Sequence, residues 1–72
     1  MEANGFKRQL QEALDYSKSI KLLFQYPAAA RAVKKSGRVV SVDEDSFTMD
    51  EIYDGEVTLS YKFLVELVIL NG

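Results

Sequence analysis

From Glu56 to Phe63 apolar and polar residues alternate without a break. Val57, Leu59, Tyr61 and Phe63 face one way, and Glu56, Thr58, Ser60 and Lys62 face the other. A helix would scatter those four apolar side chains around its circumference, whereas a strand lines them up on one face. Asp54-Gly55 precedes this run and is a strong hairpin signal, because both residues tolerate positive φ. Ser46 to Tyr53 reads as the partner strand, with Phe47 and Met49 on one face and Ile52 out of phase with both. Two registers follow. A two-residue turn at Asp54-Gly55 needs a β-bulge near Asp50-Glu51, which puts Met49 opposite Leu59 and Phe47 opposite Tyr61. A three-residue loop with Gly55 left-handed leaves Ile52 outside. Arg38 to Val42 forms the strand before, with Val40 and Val42 on its inner face, and Asp43-Glu44-Asp45 is the turn between them.

The N-terminal third changes period. Phe6, Leu10, Ala13 and Leu14 make one apolar stripe at helical spacing, predicting a helix over about residues 5–17 with Asn4 as N-cap. The stripe must lie on the sheet, since so short a helix does not persist alone. Ser19 to Tyr26 alternates again (Ile20, Leu22, Phe24, Tyr26), and Pro27 ends that strand by removing a ladder donor. Ala28 to Ser36 admits two readings. Pro27, three alanines, late basic residues and Gly37 suggest a connection with helical character. Alternatively the strand continues across a bend to a turn at Lys34-Lys35-Ser36-Gly37. Leu64 to Leu70 is apolar on both faces apart from Glu66. Val65, Leu67 and Ile69 fill a core there, and Val68 and Leu70 then need a cover. Asn71-Gly72 reads as a frayed end.

Seventy-two residues with 47% hydrophobic and 28% charged composition predict a single globular domain, residues 1–72, near the lower limit for a self-sufficient core. The expected fold is mainly β (α+β), an N-terminal helix followed by five antiparallel strands. Its expected core is Leu10, Leu14, Ile20, Leu22, Phe24, Val40, Val42, Phe47, Met49, Val57, Leu59, Tyr61, Val65 and Leu67. The net charge of −2 conceals a segregation. Lys18, Lys21, Arg31, Lys34, Lys35 and Arg38 form a block without acids, and Asp43, Glu44, Asp45, Asp50, Glu51, Asp54 and Glu56 a block without bases. Such blocks favour a dipolar surface, either two solvated loops, or a head-to-tail subunit contact or an anion site on the basic side.

One helix followed by five strands with a bent middle strand is the order of an Sm-like (SH3-like) barrel. Gly37-Arg38-Val39-Val40-Ser41-Val42, then Asp45-Ser46-Phe47-Thr48-Met49, resembles the Sm-type run of glycine, alternating aliphatics, polar turn and aromatic. Ser60 to Ile69 is similar to the last two strands of the Hfq family of bacterial host factors, where a Tyr-Lys-His turn separates strands four and five. Phe63 stands where that family has a histidine used for uridine-rich RNA, and Tyr26 to Ser36 is an eleven-residue insertion. The WYL domain of bacterial transcription regulators is also similar. Its entry helix runs into an Ile-x-Ile-x-Tyr strand much as Ala13-Leu14 runs into Ile20 to Phe24, and its final Arg-x-Phe-x-Leu strand is similar to Tyr61-Lys62-Phe63-Leu64. The Trp-Tyr-Leu signature is absent. The resemblance implies a small barrel that binds or assembles, with RNA as one partner.

Chemistry is sparse. No cysteine and no histidine are present, so thiolate sites and the commonest general base are excluded. The glycines are scattered rather than gathered in a phosphate loop, and the acidic run lacks EF-hand spacing. No catalytic residue, cofactor or metal is therefore expected. Arg31, Lys34, Lys35, Arg38 and Lys62 are the candidate nucleic-acid or anion contacts, with Tyr26, Tyr61 and Phe63 as stacking surfaces that the core also needs. The expected partners are copies of the chain itself, joined through Val68 and Leu70, and single-stranded RNA or an acidic protein surface. No apolar run has the length of a membrane helix, and Met1-Glu2-Ala3-Asn4 does not begin like a signal peptide. A cytoplasmic protein is the expectation.

Overall fold

A computed structural model describes residues 2–70. Helix α1 (Glu2–Asp15) precedes five strands: β1 (Ser19–Phe24), β2 (Val33–Val42), β3 (Ser46–Glu51), β4 (Gly55–Ser60) and β5 (Leu64–Ile69). A single 3₁₀ turn, Tyr61–Phe63, links β4 to β5. The strands form one antiparallel sheet in the order β4-β3-β2-β1-β5, an α+β domain that is mainly β.

The helix starts before Asn4 and stops at Asp15 because Ser17 turns left-handed (φ 53°). Lys18 N–H then reaches Ala13 C=O at 2.8 Å and Ser17 N–H reaches Leu14 C=O at 3.3 Å. These two bonds close the last turn as a left-handed C-terminal cap, a role glycine usually fills. The stripe is used as expected, with Leu10 and Ala13 buried and Phe6 and Leu14 packed beside them.

β2 is the longest strand and the one that bends. Its first half pairs with β1 (Phe24↔Val33 to Ser19↔Arg38) and its second with β3 (Gly37↔Glu51 to Val42↔Phe47). The region from Ala28 to Ser36 therefore holds no helix. Residues 25–32 connect the strands, and Lys34, Lys35 and Ser36 are strand residues rather than a turn. The bulge lies in β2 at Val40, where Val39 opposes Met49 and Ser41 already opposes Thr48. Lys35, Gly37 and Val39 alternate inward ahead of it, so Val39 lies in the core and Val40 is half-exposed; the extra residue changes the phase afterwards, so that Val42, paired with Phe47, packs against the core.

β3 and β4 pair without slippage, Met49 opposite Val57 and Phe47 opposite Leu59, so no bulge falls at Asp50-Glu51. The connection is the three-residue alternative: Ile52, Tyr53 and Asp54 turn, and Gly55 sits at φ +77°. The alternation through Phe63 also breaks. Ser60 caps the 3₁₀ turn, and Tyr61 stays buried with its ring stacked 5.8 Å from Phe47. Its hydroxyl donates to Asp43 C=O at 2.7 Å. In β5 the ladder to β1 skips Val65, so Leu64 and Leu67 enter the core while Val65 faces solvent. The core is thus Leu10, Ala13, Ile20, Leu22, Phe24, Val39, Phe47, Met49, Leu59, Tyr61, Leu64 and Leu67. Leu14, Val42 and Val57 border it rather than fill it.

Candidate functional site

Strand alternation decides where the basic residues go. Lys34 and Arg38 project from the outer face of β2, as Lys21 does from β1, while Lys35 between them points inward. Lys35 is buried, with Nζ 3.6 Å from Asp54 Oδ2 and 5.8 Å from the centre of the Tyr26 ring. Arg31 is exposed on the loop before β2. Lys62 is exposed on the 3₁₀ turn, lying 5.6 Å over the Phe63 ring. The five candidate cations therefore do not form one face. Lys34 and Arg38 share a surface, and Arg38 there has Asp50 as its ladder neighbour.

A groove on the outer face of β1, β2 and β5 brings other residues together. Leu23 and Val68 form its apolar floor, and Lys21, Lys34 and Glu66 its rim, around a volume of about 160 Å³. Ladder geometry explains the grouping: Leu23 faces Lys34 on one side and Glu66 on the other, and Lys21 faces Val68. Lys21 joins the basic residues here beyond the five candidates, and its place opposite the apolar positions of β1 is readable from the alternation. Val68 is half-exposed and Leu70 partly covered, its N–H donating to Ser19 C=O at 2.8 Å. β5 and β4 are the two edges of the sheet.

The β3–β4 turn is a second distinctive surface. Ile52 and Tyr53 are 64% and 88% exposed, yet the turn carrying them is held firmly. Buried Glu51 accepts the N–H groups of Tyr53 and Asp54 on one carboxylate oxygen (3.0 and 2.8 Å), and Ile52 N–H reaches Ser36 C=O at 2.9 Å. The hydrogen bond from Asp54 is the main reason the Glu51 carboxyl titrates below the usual glutamate range. Outside the turn, Asp50 and Glu56 oppose each other on the outer face. Among the described residues the ion pairs are Lys7–Glu44 at 2.7 Å and Lys35–Asp54, and neither involves Lys21, Lys34, Asp50 or Glu56.

A third feature is a shallow apolar groove between the end of β1 and β4, where Phe24, Tyr26, Pro27, Val57, Leu59 and Phe63 meet. Phe24 packs edge-on against both Tyr26 and Phe63, at 4.8 and 6.1 Å. Among the described residues no group of three carboxylates converges to hold a metal, and no helix is long and apolar enough to cross a membrane. No protein-family model, curated protein or solved structure matches the chain.

Proposed function

We propose that this chain is a non-catalytic interaction module of Sm-like architecture that assembles with copies of itself. One observation carries this reading. The strand order leaves β4 and β5 as open edges, and beside the β5 edge Val65 and Val68 are 55% and 50% exposed. Small soluble domains limit such surface, and an unblunted edge strand is a template for another chain. The opposed charge blocks suit a head-to-tail contact, which repeats into a ring or a filament. Light scattering over a dilution series at micromolar concentration tests the proposal. A mass above 8.1 kDa that falls on dilution is the expected result, and a constant 8.1 kDa refutes it.

Single-stranded RNA is the second reading, favoured by Lys21, Lys34 and Arg38 sharing the outer face of β1 and β2. Fluorescence anisotropy with mixed-sequence RNA at low salt separates the two. RNA contact through this face gives an affinity that falls steeply with added salt and weakens in Lys34→Ala/Arg38→Ala.

A further inference from the structure

We infer that the β3–β4 turn of one copy seats in the outer groove of β1, β2 and β5 on the next, a contact that rests on the self-assembly reading and names its surfaces. The turn presents Tyr53 and Ile52 outward on a backbone fixed by Glu51 and Ser36. Such presentation removes the ordering cost that a loose loop would carry into a complex. Around it stand Asp50, Asp54 and Glu56. Asp50 is flanked across the sheet by Arg38 on one side and Glu56 on the other, so Glu56 is the acid that faces a like charge and that a cationic partner relieves.

The groove supplies the complement. Its floor of Leu23 and Val68 is apolar, Lys21 and Lys34 rim it, and about 160 Å³ is open. Apolar cavities of about 150 Å³ hold a benzene ring, so the groove is of the size one tyrosine ring needs. Glu66, the acid on the rim, is placed to accept the Tyr53 hydroxyl proton in a hydrogen bond rather than to meet an acidic side chain. Turn and groove share no residue, although they adjoin at Ser36, whose C=O accepts the Ile52 N–H, so each copy offers both halves of the contact. Aromatic anchors seated in desolvated pockets carry most of an interface's affinity.

Two variants test the contact by sedimentation, with circular dichroism confirming the fold. Tyr53→Ser removes the turn's anchor and leaves the groove intact; Val68→Lys fills the groove and leaves the turn intact. Each is expected to weaken self-association by roughly tenfold or more, the effect of losing a central anchor. Mixing them at equal concentration restores one good contact and yields a one-to-one dimer. If Val68→Lys loses the fold, Lys21→Glu/Lys34→Glu replaces it as the groove variant. Wild-type-like assembly of either variant overturns the inference and leaves self-assembly standing. So does failure of the mixture to dimerise when both variants are folded monomers. A wild-type chain that is monomeric at all concentrations overturns both readings.

Discussion

Gly37 offers the sharpest test of how β2 is built. With Arg38, it is where β2 has neighbours on both sides, here Ile20 of β1 and Glu51 of β3. A Cβ there would collide with Asp50 O and lie 2.9 Å from Asp50 C and 3.1 Å from Glu51 Cα, all backbone atoms that no rotamer change can move. Relieving the overlap requires β3 to shift by about 1 Å, which is overpacking worth about 1–3 kcal/mol. One or two ladder hydrogen bonds weaken with it, at about 1 kcal/mol each. Stiffening the unfolded chain returns about 0.5–1 kcal/mol. The net expectation for Gly37→Ala is a loss of about 2–4 kcal/mol. A domain of this size has about 4–11 kcal/mol in total, so the variant sits near the edge of folding. Urea unfolding followed by circular dichroism measures it. Gly55→Ala is the control: its Cβ meets nothing within 4 Å, so only its left-handed φ of +77° opposes the change, at about 1–2 kcal/mol. If Gly37→Ala melts within about 0.5 kcal/mol of the wild type, well below the overpacking range, the close approach of β2 to β3 is wrong.

Three other outcomes are expected. Ser17→Gly stabilises the domain by about 1 kcal/mol, because glycine accepts the left-handed C-terminal cap without the Cβ penalty; a thermal melt reads it as a higher midpoint. Tyr61→Phe costs about 1 kcal/mol or more, seen in the same melt, since it leaves Asp43 C=O without the hydroxyl that reaches it at 2.7 Å. Glu51 has a folded pKa below its unfolded one, so its contribution is present above the unfolded value and is lost as pH falls through the folded value. Glu51→Gln therefore lowers stability at neutral pH and flattens its acid dependence, which urea midpoints at pH 7 and at successively lower pH compare directly.

The parts of the fold that alternate cleanly were legible in the sequence. The helix stripe from Phe6 to Leu14 and β1 from Ile20 to Phe24 follow from period, and Asp54-Gly55 marks a reversal of the chain, although the loop is Ile52 to Asp54 and not a two-residue turn. The misread parts share one physical cause, a change of phase that composition does not mark. Val40 is a valine among valines, and only the ladder shows that it is the bulged residue. Tyr61, Lys62 and Phe63 keep strand alternation while forming a 3₁₀ turn, so alternation alone puts Val65 in the core in place of Leu64. Lys35 looked like part of a basic patch because it adjoins Lys34. In a strand, adjacency is the surest way for two side chains to part, and the inward one has Asp54 and Tyr26 for company. The groove floor of Leu23 and Val68 was half-visible, since Val68 already needed a cover. Its rim depended on which strands became neighbours.

The placement of β1 bears on how the chain reaches this structure. Every other ladder joins strands consecutive in sequence, so each can form as a local hairpin soon after its own residues meet. β1 is different, since one flank is filled by β2 and the other by β5, with Phe24 paired to Leu64 across most of the chain. The entropy of closing that long loop must be met before its contacts repay it, which makes docking of β5 the late step. Until it happens, Ile20, Leu22 and Phe24 lie along an open strand edge, and β5 is a free apolar segment with the same pairing preference. In a concentrated solution the β5 of another molecule competes for that vacancy, so refolding yield should fall with protein concentration even where the native state is well behaved.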